Sequence, residues 1–409
     1  MAIRFNVTAL AMLLLSACAR VPAIDPTNAF RQVASPQISD DGELQELVQA
    51  IDSQLPILRR DKDTLMRFGS NSLSRGDYAD ALDRLKQVLN SQATSEHKLN
   101  YIRDNFHFFE YYGGDRWGEV LLTSYFEPVI SGSSAPTSRF SRPLYAKPND
   151  LLTVPIAKFS EKYQGDKALK AKLDGTTVLP YYSRADIDGK GALKGKGLEL
   201  VWLDPIDAFF MHIQGGGTIR LPSGEQRHFI YADKNGHRYE AIGKFLKKQI
   251  APNPVTMQSI ERLLRNLSAK ERDEILYRNP SYVFYAPSDK RAITSLGVPA
   301  TPGRTIAADP KFAPKGALVF LEFQKPIFRA DYRDGDEPKL FEKSARFVLD
   351  QDSGGAITGT NRIDLFWGRG DEAKRHAGVI QHPARIWYLA PRDPSNPHPP
   401  QLGDHQRER

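Results

Sequence analysis

Two carboxylates, Asp352 and Asp364, lie twelve positions apart in the run Leu349 to Gly370, L-D-Q-D-S-G-G-A-I-T-G-T-N-R-I-D-L-F-W-G-R-G. Between them sit the pair Gly354-Gly355 and a turn-prone Thr360-Asn361, and Leu365-Phe366-Trp367 follows Asp364 directly. A carboxyl group held against an apolar wall loses solvation of its charged form. Its pKa rises, and it becomes suited to general-acid chemistry. A lone Asp in a Gly-rich turn also commonly satisfies backbone amides, so residue type alone leaves both uses open. Asp350-Gln351-Asp352 has the start of a calcium loop, but its fifth and twelfth positions would be Gly354 and Asn361, and the ligand set fails. The nine histidines show no metal spacing. No metal and no other cofactor is expected.

Elements able to position these acids are legible around them. The chain has 409 residues, enough for two domains and a sizeable core. Its 30 Gly and 28 Pro fall mostly between short apolar runs, which favours a mainly β fold. Ala345 to Leu349 is expected to be a strand feeding the acidic stretch, Ala317 to Phe323 an earlier strand, and Ala384 to Leu389 the closing one. Val120 to Ile130 reads as a strand leaving a domain through Glu127-Pro128. From about 129 to 286, short strands alternate with Gly and Pro turns. Leu198 to Leu203 and Ala208 to Ile213 are read as two of these strands, separated by Asp204-Pro205, the second opening into Gln214-Gly215-Gly216-Gly217. Near the N-terminus, Leu44, Leu47, Val48, Ile51 and Leu55 make one helical face that Pro56 should stop or kink. A second helical stripe runs through Tyr78, Leu82, Leu85, Val88 and Leu89.

Net charge is +7 and the pI about 9.2, modest and spread along the chain. With no Lys/Arg-rich helix and no aromatic-basic stretch, a nucleic-acid partner is not expected. The only cysteine is Cys18, in L-S-A-C after the short apolar run Val7 to Leu15. That run is too short to span a bilayer and reads as a secretory signal. The small residues before Cys18 resemble a bacterial lipobox, which implies cleavage before Cys18 and its acylation. Ala19 after it resembles the sorting signal of outer-membrane lipoproteins. The expected divisions are a signal over 1–17, a Pro-punctuated tether over 18–40, and a disordered tail over 393–409.

Three aspartates then stand in one frame: Ala308-Asp309-Pro310, Asp352-Ser353-Gly354-Gly355-Ala356-Ile357 and Arg362-Ile363-Asp364-Leu365-Phe366. The frame resembles the three-aspartate domain, a double-psi β-barrel. Upstream, T-S-Y-F-E-P-V-I (123–130), I-Q-G-G-G (213–217), Y-A-D-K-N-G-H (231–237), A-I-G-K (241–244) and N-P-S-Y-V-F-Y (279–285) resemble the membrane-bound lytic murein transglycosylase A family. The resemblance implies a double-psi β-barrel assembled from 41–128, with N-terminal helices, and 287–392. A smaller β-rich domain over 129–286 is inserted between them, with a glycan groove between the two. It implies a peptidoglycan lytic exotransglycosylase, a carbon–oxygen lyase. Such an enzyme cleaves the β-1,4 bond between N-acetylmuramic acid and N-acetylglucosamine without water and leaves a 1,6-anhydro ring. A murein synthase or scaffold protein would be a further partner, and the site would face the periplasm from the outer membrane.

Carried over by position, Asp364 matches the catalytic acid, and Asp352 and Asp309 the other two aspartates. The chemistry is consistent. A glycoside hydrolase needs two carboxylates roughly 5 to 9.5 Å apart, whereas a transglycosylase can use one, because the sugar's own 6-hydroxyl attacks. Asp352 is expected to position Asp364 or shift its pKa, and Asp309 to order a loop. Gln214 and Gly215 read either as a tight turn or as groove lining, and Tyr125 as core or as a sugar platform. Ser183, in the polar-aromatic run 180–184, joins Gly354 and Gly355 among the substrate-binding candidates. Two other readings stay open: a water-using hydrolase with Asp352 as second carboxylate, and a non-catalytic murein-binding lipoprotein.

Overall fold

The structure is a computed structural model and describes residues 25–163, 168–290, 292–329, 338, 340–355 and 357–393. Cys18, its signal and residues 394–409 lie outside the described residues.

Six strands close into a barrel. In ring order they are Glu119–Glu127, Gln381–Pro391, Leu318–Ile327, Leu340–Asp352, Thr305–Ala307 and Arg362–Arg369, the last returning to Glu119–Glu127. Two neighbouring pairs are parallel, Thr305–Ala307 with Leu340–Asp352 and Arg362–Arg369 with Glu119–Glu127. The rest are antiparallel. Closure removes the sheet edges, and alternate side chains fill the interior. Ile306, Val319, Leu321, Val348, Ile363 and Leu365 are buried there. The second half of Gln381–Pro391 also pairs with Phe106–Tyr111, which pairs in turn with Phe30–Val33.

Three helices, Leu44–Arg60, Arg75–Asn90 and Ser95–Asn105, share this core. Ser74 caps the second by accepting from Asp77 N at 3.0 Å, as its short polar side chain suits. Tyr78, on that helix's buried stripe, fixes it to the barrel. Its hydroxyl accepts from Leu318 N and donates to Leu389 O, both at 2.7 Å. The first helix runs through Pro56 instead of ending there. Leu47, Ile51, Leu55 and Leu58 are buried on both sides of the proline, and that packing outweighs the roughly 3 kcal/mol an interior proline costs. Residues 25–40, expected to be tether, belong to the body. Phe30 is buried in the main core, and Asp40 is ion-paired to the buried Arg304.

The intervening chain forms a separate six-stranded sheet, in the order Val283–Ser288, Gln226–Lys234, Gly217–Arg220, Val129–Ser133, Glu199–Leu203 and Arg142–Tyr145. Four helices, Pro205–Gln214, Gly243–Ile250, Met257–Arg265 and Ala269–Leu276, accompany it. The first of these corrects the expected strand over 208–213. Asp204 is its N-cap, accepting from Ile206 N at 2.9 Å, Pro205 takes the first helical position, and Gly215 ends it with φ +80°. The apolar run Ala208 to Ile213 has no two-residue alternation, and the cap residues decide for helix.

Candidate active site

Asp364 sits on the Arg362–Arg369 strand, opposite Thr123 in the parallel pairing and Ala307 in the antiparallel one. Alternation along that strand sends Ile363 and Leu365 into the barrel core and leaves Arg362, Asp364 and Phe366 on the other face. Leu365 is therefore not the wall behind the acid. The surroundings of Asp364 are polar at contact and closed beyond. The Thr123 hydroxyl donates to the carboxylate. The Arg362 guanidinium donates to both its oxygens, at 3.1 and 3.3 Å, and to the Thr123 hydroxyl at 2.9 Å. With its side chain 14% exposed, Asp364 is pushed by burial above the usual carboxylate range, Arg362 opposing and the charge of Asp352 adding. Sequence reasoning missed both partners. Arg362 was findable from the R-I-D spacing once the segment is a strand, since i and i+2 share a face. Thr123 is brought in by a pairing across 241 residues, which no local signal reveals.

Asp352 ends the Leu340–Asp352 strand. One carboxylate oxygen accepts from Ser295 N at 2.9 Å and Ser353 N at 2.8 Å, the other from the Tyr125 hydroxyl at 2.7 Å. Burial and the neighbouring carboxylates, Asp352 first and then Asp364, hold the Tyr125 hydroxyl well above its ordinary pKa, so it stays a donor. The Tyr125 ring packs against Phe366, centroids 5.1 Å apart. Asp309, buried, accepts from Lys311 N at 3.0 Å and Gly359 N at 2.8 Å, tying its own turn to the turn before the Asp364 strand. The three aspartates thus converge around the short Thr305–Ala307 strand, through whose register Ala307 faces both Asp352 and Asp364.

The other candidates separate. Gln214 accepts from Phe126 N at 3.0 Å and so ties the inserted sheet to the barrel strand that carries Thr123 and Tyr125. Gly215 is the left-handed end of the Pro205–Gln214 helix. A Cβ on Gly354 would lie 2.9 Å from Ile357 Cδ1, and one on Gly355 would lie 3.5 Å from the Lys234 ammonium, reaching from the inserted sheet. Among the described residues no hydrogen bond joins Ser183 to the three aspartates. Its hydroxyl donates to Asp186 at 2.6 Å in a local turn.

Within the inserted domain the motif residues bond to one another. Asn235 donates to Tyr182 O and Pro280 O, at 2.9 and 2.8 Å, and accepts from Tyr282 N at 2.9 Å, joining Y-A-D-K-N-G-H to N-P-S-Y. Just beyond, Tyr239 is half-buried. Burial raises its hydroxyl pKa, with the charges of Arg362 and Arg184 opposing and that of Asp364 adding. Tyr239 falls between the motifs at 231–237 and 241–244. A cavity of about 210 Å³, lined by Phe126, Phe210, Gln214, Met257, Arg265 and Lys374 among others, holds none of the three aspartates. Phe126 alternates with Tyr125, so this cavity opens on the reverse face of the strand.

Comparison with known proteins fits this geometry. Residues 121–286 match the MltA specific insert domain and residues 304–390 the 3D domain. The membrane-bound lytic murein transglycosylase A of Vibrio cholerae is 32% identical over 283 residues, 68% of this chain and 67% of the relative. The protein of that name from Escherichia coli K12 is 29% identical over 281 residues, with 68% and 67% covered. Among solved structures, a membrane-bound lytic murein transglycosylase from Agrobacterium tumefaciens superposes with a TM-score of 0.71 at 27% identity, over 89% of this chain and 98% of that one. MltA of E. coli with bound chitohexaose superposes with a TM-score of 0.67 over 89% and 94%, and at 24% identity it speaks for the fold alone. The chain belongs to the membrane-bound lytic murein transglycosylase A family.

Proposed function

We propose that the chain is a lytic transglycosylase of murein, with Asp364 as its single acid and base. The observation that carries this reading is the environment of Asp364. It is a shielded carboxyl with a raised pKa, oriented by Thr123 and Arg362. Protonated Asp364 gives its proton to the oxygen bridging N-acetylmuramic acid and N-acetylglucosamine as the C1–O bond breaks. The carboxylate then takes the proton of the muramyl 6-hydroxyl while that oxygen bonds to C1, closing the 1,6-anhydro ring and restoring the acid. Arg362 balances the carboxylate between the two steps. Asp352, already holding two backbone amides and the Tyr125 hydroxyl, acts through its charge and by fixing Tyr125, in keeping with one acid rather than two.

The two parallel strand pairs support the double-psi connectivity that the resemblance implies. The membrane-bound relatives support anchoring through acylated Cys18, with the body in the periplasm at the outer membrane. No described helix is long and apolar enough to cross a membrane.

Mass spectrometry of muropeptides released from purified murein tests the chemistry. Anhydro ends are expected from the native chain and no release from Asp364→Asn. Reducing ends would replace this reading by hydrolysis, and undiminished digestion by the variant would remove Asp364 from the mechanism. Replacing Cys18 with Ser should move the protein from the membrane to the soluble fraction.

A further inference from the structure

One ammonium group lies beneath the aspartates without touching Asp364. The Lys315 Nζ donates to Ala308 O at 2.8 Å, to Asp352 O at 2.5 Å and to an Asp350 carboxylate oxygen at 2.5 Å. Ala308 immediately precedes Asp309, so all three donors of one lysine go to the two chain ends that present Asp309 and Asp352. The lysine side chain is only 11% exposed, and Asp350 is fully buried. The second oxygen of Asp350 accepts from the buried Tyr388 hydroxyl at 2.9 Å.

The mount of the lysine is rigid as well. Gly316 N donates to Asp350 O at 2.7 Å, and Gly316 O accepts from Gln54 Nε2 at 2.9 Å. Gly316 has φ +92°, and a Cβ there would lie 2.8 Å from Leu58, so the turn is pressed against the first helix. Gln54 also accepts from Gln351 Nε2 at 3.0 Å, and the other end of Gln351 accepts from Thr305 at 2.7 Å. The N-terminal helix therefore supports the turn that carries the lysine and the strands that carry the acids.

We infer that Lys315 is a positioning residue for the reaction at Asp364: it clamps the Asp309-bearing and Asp352-bearing chain ends and so sets the place of the Asp352 charge relative to Asp364. The inference rests on the reading of Asp364 as the acid. A cation whose only task was to neutralise Asp350 would need one of these bonds. The two carbonyl bonds are what fix the loops, and three convergent donors on one point charge leave little freedom for either backbone.

Murein digestion by Lys315→Met tests it. Misplacing a supporting group by about 1 Å costs on the order of 10²-fold in rate, so kcat should fall by that order with KM little changed. The alkaline limb of the pH profile should move to lower pH, because the Asp352 charge that reinforces protonation of Asp364 is no longer held in place. Adding Asp352→Asn should then cost nothing beyond what Asp352→Asn costs alone, since both act through one group. Additive losses, or an alkaline limb that stays where it was, would overturn the proposal. Where Lys315→Met leaves buried Asp350 uncompensated and the chain unfolds, Lys315→Met with Asp350→Asn removes both charges and carries the same measurements. If Asp364→Asn keeps its activity, the site reading itself fails. If that variant is dead and the Lys315 effects are additive, only this inference does.

Discussion

At Asp364 burial and Arg362 pull in opposite directions, and burial dominates. Removing Arg362 takes away the opposing charge. Arg362→Gln should therefore raise the Asp364 pKa further and carry the alkaline limb of kcat/KM to higher pH, measured on soluble murein fragments between about pH 4 and 8. An alkaline limb that moves down would assign it to another group. The same balance makes a stability prediction. A carboxyl with a raised folded-state pKa contributes stability that is fully present below its unfolded value, about 3.9, and is lost as pH rises through the folded value. Asp364→Asn has no such loss. At pH 7 the inactive variant should resist urea at least as well as the native chain, and its advantage should shrink toward pH 4. A midpoint below native at pH 7 would mean that the bonds from Thr123 and Arg362 outweigh desolvation. The three aspartates were legible because they lie in a recognisable frame of sequence. Thr123 was not, because a strand pairing across 241 residues brings it in.

Among elements, legibility followed how strongly a segment's own pattern speaks. The Arg75–Asn90 helix has a complete apolar stripe, and the five stripe residues read from the sequence, Tyr78, Leu82, Leu85, Val88 and Leu89, are all buried in it. The Pro205–Gln214 helix is apolar nearly all round and ten residues long, so its periodicity is silent and only its Asp-Pro start and Gly stop speak. The Leu44–Arg60 helix continues past Pro56 because of packing that lies far along the chain. Tyr78 shows how such distant packing is secured. Its hydroxyl is shared between two barrel strands, and Tyr78→Phe leaves Leu318 N–H and Leu389 C=O buried without it. A buried group stripped of its partner costs about 1–3 kcal/mol. Urea unfolding of Tyr78→Phe should show a loss in that range with an unchanged m-value, while murein turnover under native conditions stays near that of the native chain. No loss would mean that the barrel strands satisfy those groups another way.

For the whole molecule, the decisive observation is where the body begins. Pro-punctuated sequence over 20–40 reads as tether, yet Asp40 and Asp41 are structural. Asp40 pairs with Arg304 at 2.7 Å and accepts from Phe347 N at 2.9 Å; Asp41 accepts two bonds from Arg346, at 2.8 and 2.7 Å. Arg304 is 0% exposed. The segment is polar because it neutralises buried cations of the barrel, and a polar run with prolines looks the same in sequence whether it neutralises or merely connects. If Cys18 carries the anchor, only the seven positions to Asp25 remain as spacer, about 25 Å when fully extended, so the barrel works close to the membrane. The neutralising role makes a sharp prediction. A chain starting at Asp25 should be soluble, folded and active on murein. One starting at Gly42 keeps every barrel strand and all three aspartates, but it leaves the buried Arg304 with only the more exposed and more distant carboxylate of Glu46, at 3.5 Å. Breaking a buried pair from one side costs roughly 3–5 kcal/mol, a large share of the 5–15 kcal/mol by which domains are stable. The shorter chain should therefore unfold at markedly lower urea than the longer one. Replacing Arg304 with Met within it should recover part of the difference, because the buried charge that Glu46 only partly balances is then gone. Equal urea midpoints for the two chains would return residues 25–41 to the role of tether.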